Sequence, residues 1–206
     1  MYVPKAFQQT DLAELHRFIE RHSFAVLCST GEDGVPFASH LPLLMDRRSA
    51  PPGMLIGHMA RANPQWRHAD GQPVLAVFAG PHVYVSPSWY QAEDVVPTWN
   101  YVTVHVTGVF RAIHERDATL EIVREMVEFY EGGKSEPWRL GPPNDYLERM
   151  LRGIVGFRIE ITGIEGKWKL SQNQPPERRE KVYRALDQQD GEDAQAIARL
   201  MRRMDG

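Results

Sequence analysis

The sequence predicts a mainly β protein of the α+β class, an antiparallel barrel with helices at its periphery. About six short strand-like runs follow one another in hairpin-like succession along the 206-residue chain. They do not alternate regularly with helices, as a doubly wound parallel sheet would require. Neither the glycine fingerprint of a dinucleotide-binding unit nor the phosphate loop of nucleotide hydrolases occurs. A nucleotide-like ligand, if bound, is held by another architecture.

The elements follow in order. Thr10 and Asp11 mark a helix start, with an acid in the first turn. Leu12, Leu15 and Ile19 then recur at helical spacing, which predicts a helix over 11–21. Phe24 to Ser29 is an apolar strand, and the glycines of Thr30-Gly31-Glu32-Asp33-Gly34 permit a tight turn. Pro36 to Met45 returns as a second strand interrupted by Ser39, His40 and Pro42; a proline there forbids a ladder bond, so this strand lies at an edge or bulges. A polar loop, Asp46 to Gly53, leads to a third strand from Met54 to His58. Pro73 to Ala79 is a Val-rich strand that Gly80-Pro81 is expected to break before a short run from His82 to Ser86.

After a loop over 87–97, the alternation of Val102, Val104 and Val106 with Tyr101, Thr103, His105 and Thr107 gives the clearest strand in the chain. Leu120, Val123, Met126, Val127 and Tyr130 predict an amphipathic helix over 115–130. Asn144 is placed to cap another helix, ending near Leu151. Phe157, Ile159 and Ile161 alternate in a last long strand running toward Trp168-Lys169-Leu170-Ser171-Gln172-Asn173, and two charged helices, near 177–188 and 192–204, close the chain.

Composition excludes some classes of function. Hydrophobic residues make up 42%, enough to bury a core in one domain or one domain with a helical appendage. The formal net charge of −3 gives the whole chain no basic signature of the kind non-specific nucleic-acid binding needs. Cys28 stands alone, which excludes an intramolecular disulfide and a thiolate zinc cluster and suits a reducing cytoplasm. The start of the chain lacks the apolar core of a signal peptide, and no run approaches bilayer-spanning length, so a cytoplasmic protein without membrane partners is expected. No histidine cluster has acidic companions at ligand spacing, and no metal site is expected.

The segment Gly57-His58-Met59-Ala60-Arg61-Ala62-Asn63-Pro64-Gln65-Trp66 carries the most chemistry. A strand that opens into Gly, His, Arg and Asn offers a guanidinium and free backbone amides together, and a planar guanidinium grips two phosphate oxygens at once. The same residues also suit a strand-to-helix turn in which Asn63 caps a short helix begun by Pro64.

Several blocks, in order along nearly the whole chain, together resemble one family, the PaiB-type FMN-binding negative transcriptional regulators. They are Met1-Tyr2-Val3-Pro4-Lys5, Ser39-His40-Leu41-Pro42-Leu43-Leu44, the Gly57 to Trp66 segment, Val85-Ser86-Pro87-Ser88-Trp89-Tyr90, Val96-Pro97-Thr98-Trp99-Asn100-Tyr101 and Trp168 to Gln174. The resemblance implies a six-stranded split β-barrel of the pyridoxamine-phosphate-oxidase type over 1–175, with 176–206 as a helical extension packed on the barrel or the dimer. It also implies a homodimer that binds FMN at the subunit interface.

On that resemblance, Arg61 is the expected anchor for the FMN phosphate, with His58 and Asn63 adding donors. Ser39, His40, Leu41 and Pro42 are expected beside the isoalloxazine ring. Trp99 and Asn100 are expected to stack on and hydrogen-bond the flavin, and Ser171, Gln172 and Asn173 to contact its edge or phosphate. Each has a plainer reading as a surface salt bridge (Arg61), a helix cap (Asn63), an edge-strand bulge, core packing, dimer packing or a turn.

A regulatory role on DNA follows from the resemblance, whereas the late cations Arg178, Arg179, Lys181 and Arg184 are diluted by Glu177, Glu180 and Asp187, and no helix-turn-helix stands out. A flavin-dependent oxidoreductase is the alternative, without a catalytic residue that can be named. A third reading places haem in the split, with His40, His58, His82 or His105 as iron ligand.

Overall fold

The structure, a computed structural model, describes residues 1–46 and 49–205. In chain order its strands and helices are β1 (Gln8–Gln9), α1 (Leu12–Arg21), β2 (Phe24–Thr30), β3 (Pro36–Pro42), β4 (Leu44–Asp46), β5 (Met54–Ala60), α2 (Gln65–Ala69), β6 (Pro73–Val85), β7 (Thr98–Ile113), α3 (Arg116–Glu131), α4 (Asp145–Arg152), β8 (Ile154–Lys169), α5 (Pro176–Asp187) and α6 (Glu192–Asp205). The strands are ordered β3-β2-β6-β7-β8-β5-β4, with β1 beside β8. The registered pairs of β1 with β8, β2 with β3 and β6, β4 with β5, and β5 with β8 are all antiparallel. The result is the expected mixed α+β, antiparallel architecture; the two shortest strands, β1 and β4, bring the described strands to eight.

The described residues divide into two compact units. One comprises Met1–Asp11, Ala79–Val104 and Glu165–Gly206; the other comprises Leu12–Phe78 and His105–Ile164. In the second unit, strand alternation sends Ala25, Leu27, Leu55, Met59, Ala76, Phe78, Val106, Phe110, Phe157 and Ile159 into a core where each is almost wholly buried. Phe110 and Phe157 stack there with ring centroids 4.7 Å apart. Gly57 is required by this packing: a Cβ at that position would lie 2.8 Å from Phe157 Cζ and 2.9 Å from Leu43 Cδ2.

The run Pro36 to Met45 is two strands rather than one. The chain leaves β2 at Pro42, turns at the fully buried Leu43, and pairs with β5 from Leu44 onward. The Leu43 amide donates instead to the Ser23 carbonyl at 2.8 Å. Thus β3 and β4, the two ends of the strand order, are joined by one residue, and Pro42 sits on an edge strand where its missing N–H is tolerated.

Nor does Gly80-Pro81 break β6. Its register with β2 covers only Leu75, Ala76 and Val77, so Pro81 forfeits no ladder bond on that side.

Helix α3 buries Thr119, Leu120, Ile122 and Met126. Ile122 and Met126 cluster with Leu44 and Ile56, while Leu120 clusters with Leu147 and Leu151 of α4. Asn144 caps α4 as its sequence position suggests, accepting from the Leu147 amide at 2.9 Å.

In the first unit Val85, Tyr90, Val102, Val104 and Leu170 are buried, as are Val182 and Leu186 of α5 and Ile197, Ala198 and Met201 of α6. The two helices pack on each other, and α5 also meets the turn Pro87–Tyr90. No described helix is long and apolar enough to cross a membrane.

Candidate functional site

Arg61 follows β5 directly and is fixed on all sides. Its amide donates to the Gly153 carbonyl at 2.8 Å, and its carbonyl accepts from the Trp66 indole at 3.0 Å. The guanidinium donates through Nε to the Arg152 carbonyl and through Nη2 to the Ile154 carbonyl, each at 2.8 Å. Arg152 ends α4 and Ile154 opens β8, so the guanidinium satisfies one carbonyl that the helix terminus leaves over and one of the adjoining strand. Nη1 and the second Nη2 proton meet no acceptor among the described residues, and no carboxylate pairs with the group. An exposed, rigidly held guanidinium with three free protons fits a phosphate.

Asn63 and Ser39 come from separate blocks of sequence and meet. Asn63 Nδ2 donates to Ser39 Oγ at 2.8 Å, while its Oδ1 accepts from the Gln65 amide at 3.0 Å. The turn role and the ligand-side role expected of Asn63 therefore coexist in one side chain. Beneath them lies Gln65, fully buried, with Nε2 donating to the Leu27 carbonyl at 3.0 Å and to Ser29 Oγ at 3.1 Å. Gln65 Oε1 is buried with no hydrogen-bond partner among the described residues. Sequence reasoning assigned Gln65 no role.

Strand β3 has no fully buried residue. Ser39 and Leu41 share one of its faces and His40 the other, with the His40 ring 6.2 Å from that of Phe24. Pro42 stands opposite Phe24 in the register.

His58 shares the face of β5 that Ile56 presents to α3, and its Nδ1 lies 3.2 Å from Met126 Sδ. Burial lowers its pKa, so the neutral imidazole is favoured. Its observed neighbour is this helix.

The remaining candidates lie in the first unit. Asn100 is fully buried; its Oδ1 accepts from Ser171 Oγ at 3.1 Å. Ser171, also buried, adopts a left-handed backbone with φ 65°. The Gln172 amide is engaged within its own turn, accepting from Leu170 N at 2.7 Å and donating to the Trp168 carbonyl. Asn100, Ser171 and Asn173 line a cavity of about 150 Å³ with Tyr90, Asp94, Thr98 and Lys169. Trp99 is half exposed and meets the Tyr84 ring edge-on at 5.9 Å and the His82 ring at 6.2 Å.

Lys169, to which the sequence alone assigns no role, is a charged side chain with a shifted pKa on the wall of this cavity. Its Nζ donates to Thr98 Oγ1 and, at 2.6 Å, to the Trp99 carbonyl. Burial, and then the charge of Lys167, lower its pKa. The available signal was spacing: Lys167 and Lys169 are two apart on one strand and share a face.

Comparison with known proteins agrees with this architecture. The flavocytochrome Anf3 from Azotobacter vinelandii superposes with a TM-score of 0.61 at 15% identity, covering 81% of this chain and 72% of that one. The FAD and heme binding protein from Mycobacterium smegmatis gives 0.59 at 16% identity, covering 79% and 73%. At such identities the likeness establishes fold alone, and the fold class is the split barrel. Residues 1–163 match the family described as "Putative FMN-binding domain", and the chain belongs to that family. Its cofactor is FMN. Protease synthase and sporulation protein PAI 2 of Bacillus subtilis (strain 168) is 39% identical over 205 residues, spanning 98% of this chain and 96% of the relative, in accord with the PaiB-type resemblance.

Proposed function

We propose that the protein is a cytoplasmic homodimer that holds FMN at its subunit interface and acts as a negative transcriptional regulator of the PaiB type. The observation that carries the flavin site is the Arg61 guanidinium, oriented by two carbonyls and free of any carboxylate among the described residues. Arg61 holds the phosphate, and the Asn63–Ser39 pair sets the adjoining polar wall. The unburied β3, with Ser39, His40, Leu41 and Pro42, runs along the flavin and is covered by the second subunit. In the first unit, Trp99 offers a half-exposed face on which an aromatic ring can stack.

The test is FMN titration, by fluorescence quenching, of wild type and Arg61→Ala. Affinity is expected to fall by about 1.5–3 kcal/mol for a charge-assisted bond. Riboflavin, which lacks the phosphate, should bind both alike. Equal FMN curves would move the phosphate anchor elsewhere.

The regulatory part rests on the family resemblance and on the Bacillus subtilis relative. The α5 cations do not supply a free basic face: Arg184 pairs with Glu180, Arg178 and Arg179 donate to Gln174, and Lys181 donates to the Tyr90 carbonyl at 3.3 Å. A mobility-shift assay with salt titration tests direct repression. Absence of salt-sensitive promoter binding would refute it.

The second reading is a flavin-dependent oxidoreductase, favoured by the polar cavity beside Lys169. Bound FMN supplies hydride and single-electron transfer, and the chain would orient the reactant. Anaerobic NADH or NADPH turnover with added FMN tests it.

A further inference from the structure

We propose that the cavity of the first unit bounded by Lys169, Thr98, Ser171 and Asn173 is a subsite for a small oxyanion, a phosphate or carboxylate group, with Lys169 as its charged anchor. The inference goes beyond the flavin reading and does not depend on it.

Two cations on one strand face stand without an anion. Lys169 Nζ has two neutral acceptors, Thr98 Oγ1 and the Trp99 carbonyl, which leaves one proton for a further partner. Lys167 is only 8% exposed; its Nζ donates to the Tyr2 carbonyl at 3.1 Å and lies 5.2 Å from the Tyr101 ring centroid. No carboxylate pairs with either lysine among the described residues. Lys167 is buried and Lys169 partly so, with no opposite charge paired to either; desolvation first, and then repulsion from Lys167, lowers the Lys169 pKa. An oxyanion beside Lys169 offsets that repulsion.

The walls suit such a guest. Thr98, Ser171, Asn173 and Gln174 line the space; the Ser171 hydroxyl donates to Asn100 Oδ1, which leaves Lys169 Nζ as the charged donor. Ser171 holds a left-handed backbone that a non-glycine residue adopts at some cost, a feature common at binding sites. The volume of about 150 Å³ is below the roughly 300–1,000 Å³ of sites for whole drug-sized ligands, so the space takes a group and not a tricyclic ring. Asp94 also lines the cavity, within ion-pair reach of no described cation. Its charge opposes the guest and weakens its binding.

Calorimetric titration of inorganic phosphate into the flavin-free full chain at neutral pH and low salt is the test. Wild type should bind, and Lys169→Met should weaken binding at least tenfold. Because Lys169 also holds Thr98 and Trp99, Asp94→Asn serves as a second variant that leaves those bonds intact, and it should tighten binding several-fold. Equal affinity in wild type and Lys169→Met, or no tightening in Asp94→Asn, would overturn the proposal. Repeating the titration with saturating FMN identifies the source of the anion. Lost phosphate binding assigns the subsite to the FMN tail, retained binding to a separate anion, with acetate testing the carboxylate case. Failure of wild type to bind FMN would end the flavin reading while leaving phosphate binding to be judged alone.

Discussion

Asn63 Nδ2 donates to Ser39 Oγ across 2.8 Å, joining the segment after β5 to the edge strand β3. A single side chain thus couples the turn that presents Arg61 to the strand proposed to run beside the flavin. The pair should behave as a unit. In a double-mutant cycle of Asn63→Ala and Ser39→Ala, the coupling in unfolding free energy should be about 0.5–1.5 kcal/mol, as for one neutral hydrogen bond. Strict additivity in denaturant titrations would show that the bond contributes nothing.

Arg61 has two duties, and Arg61→Lys separates them. A lysine keeps the charge but cannot reach both the Arg152 and Ile154 carbonyls in the fixed fork of a guanidinium. The variant should lose at least tenfold in FMN affinity while riboflavin binding is unchanged. Its thermal midpoint should fall by a few degrees, reporting the loosened end of α4.

His58 gives the fold a sign-defined pH response. Burial lowers its pKa below the ordinary value of 6.5, so the unfolded chain binds the proton more readily. Its stabilising contribution is complete above pH 6.5 and is lost as pH falls through the lowered value. Replacing it with leucine, which suits the neighbouring Ile56 and Met126, should flatten the difference in urea midpoint between pH 7.5 and pH 5. An unchanged slope would mean another group controls the acid limb.

Gly57→Ala should destabilise the barrel core. The added methyl would meet Phe157 Cζ at 2.8 Å and Leu43 Cδ2 at 2.9 Å, inside a fully buried layer. Overpacking of this kind costs about 1–3 kcal/mol. Chemical denaturation of the variant gives the value, and a shift under 0.5 kcal/mol would show that the Phe157 ring yields freely.

Much of this was legible because it is local. The alternation through Val102, Val104 and Val106 needs only the period of a strand, and the Asn144 cap only its own turn. The strand–turn–helix character of the Arg61 block could likewise be read from its glycine, asparagine and proline. What escaped was decided by distant partners. Leu43 is one apolar residue inside Leu41-Pro42-Leu43-Leu44-Met45, and nothing in that run marks where the chain exchanges β2 for β5. Gly80-Pro81 reads as a break unless one knows that β2 ends its pairing at Val77. The lysine pair was in plain view, but that no carboxylate among the described residues pairs with it is a fact of three dimensions. So is the anchoring of Arg61 on carbonyls more than ninety residues away along the chain.

The one-residue corner at Leu43 also bears on how the molecule assembles. Residues 24–60 contain two antiparallel pairs, β2 with β3 and β4 with β5, each closed by a short connection. Loop-closure entropy is small for such neighbours, so this stretch can zip up before the long excursions that bring in β6 and β8. Lengthening the corner with a flexible insert would uncouple the two ribbons and slow refolding far more than an equal insert after Gly132.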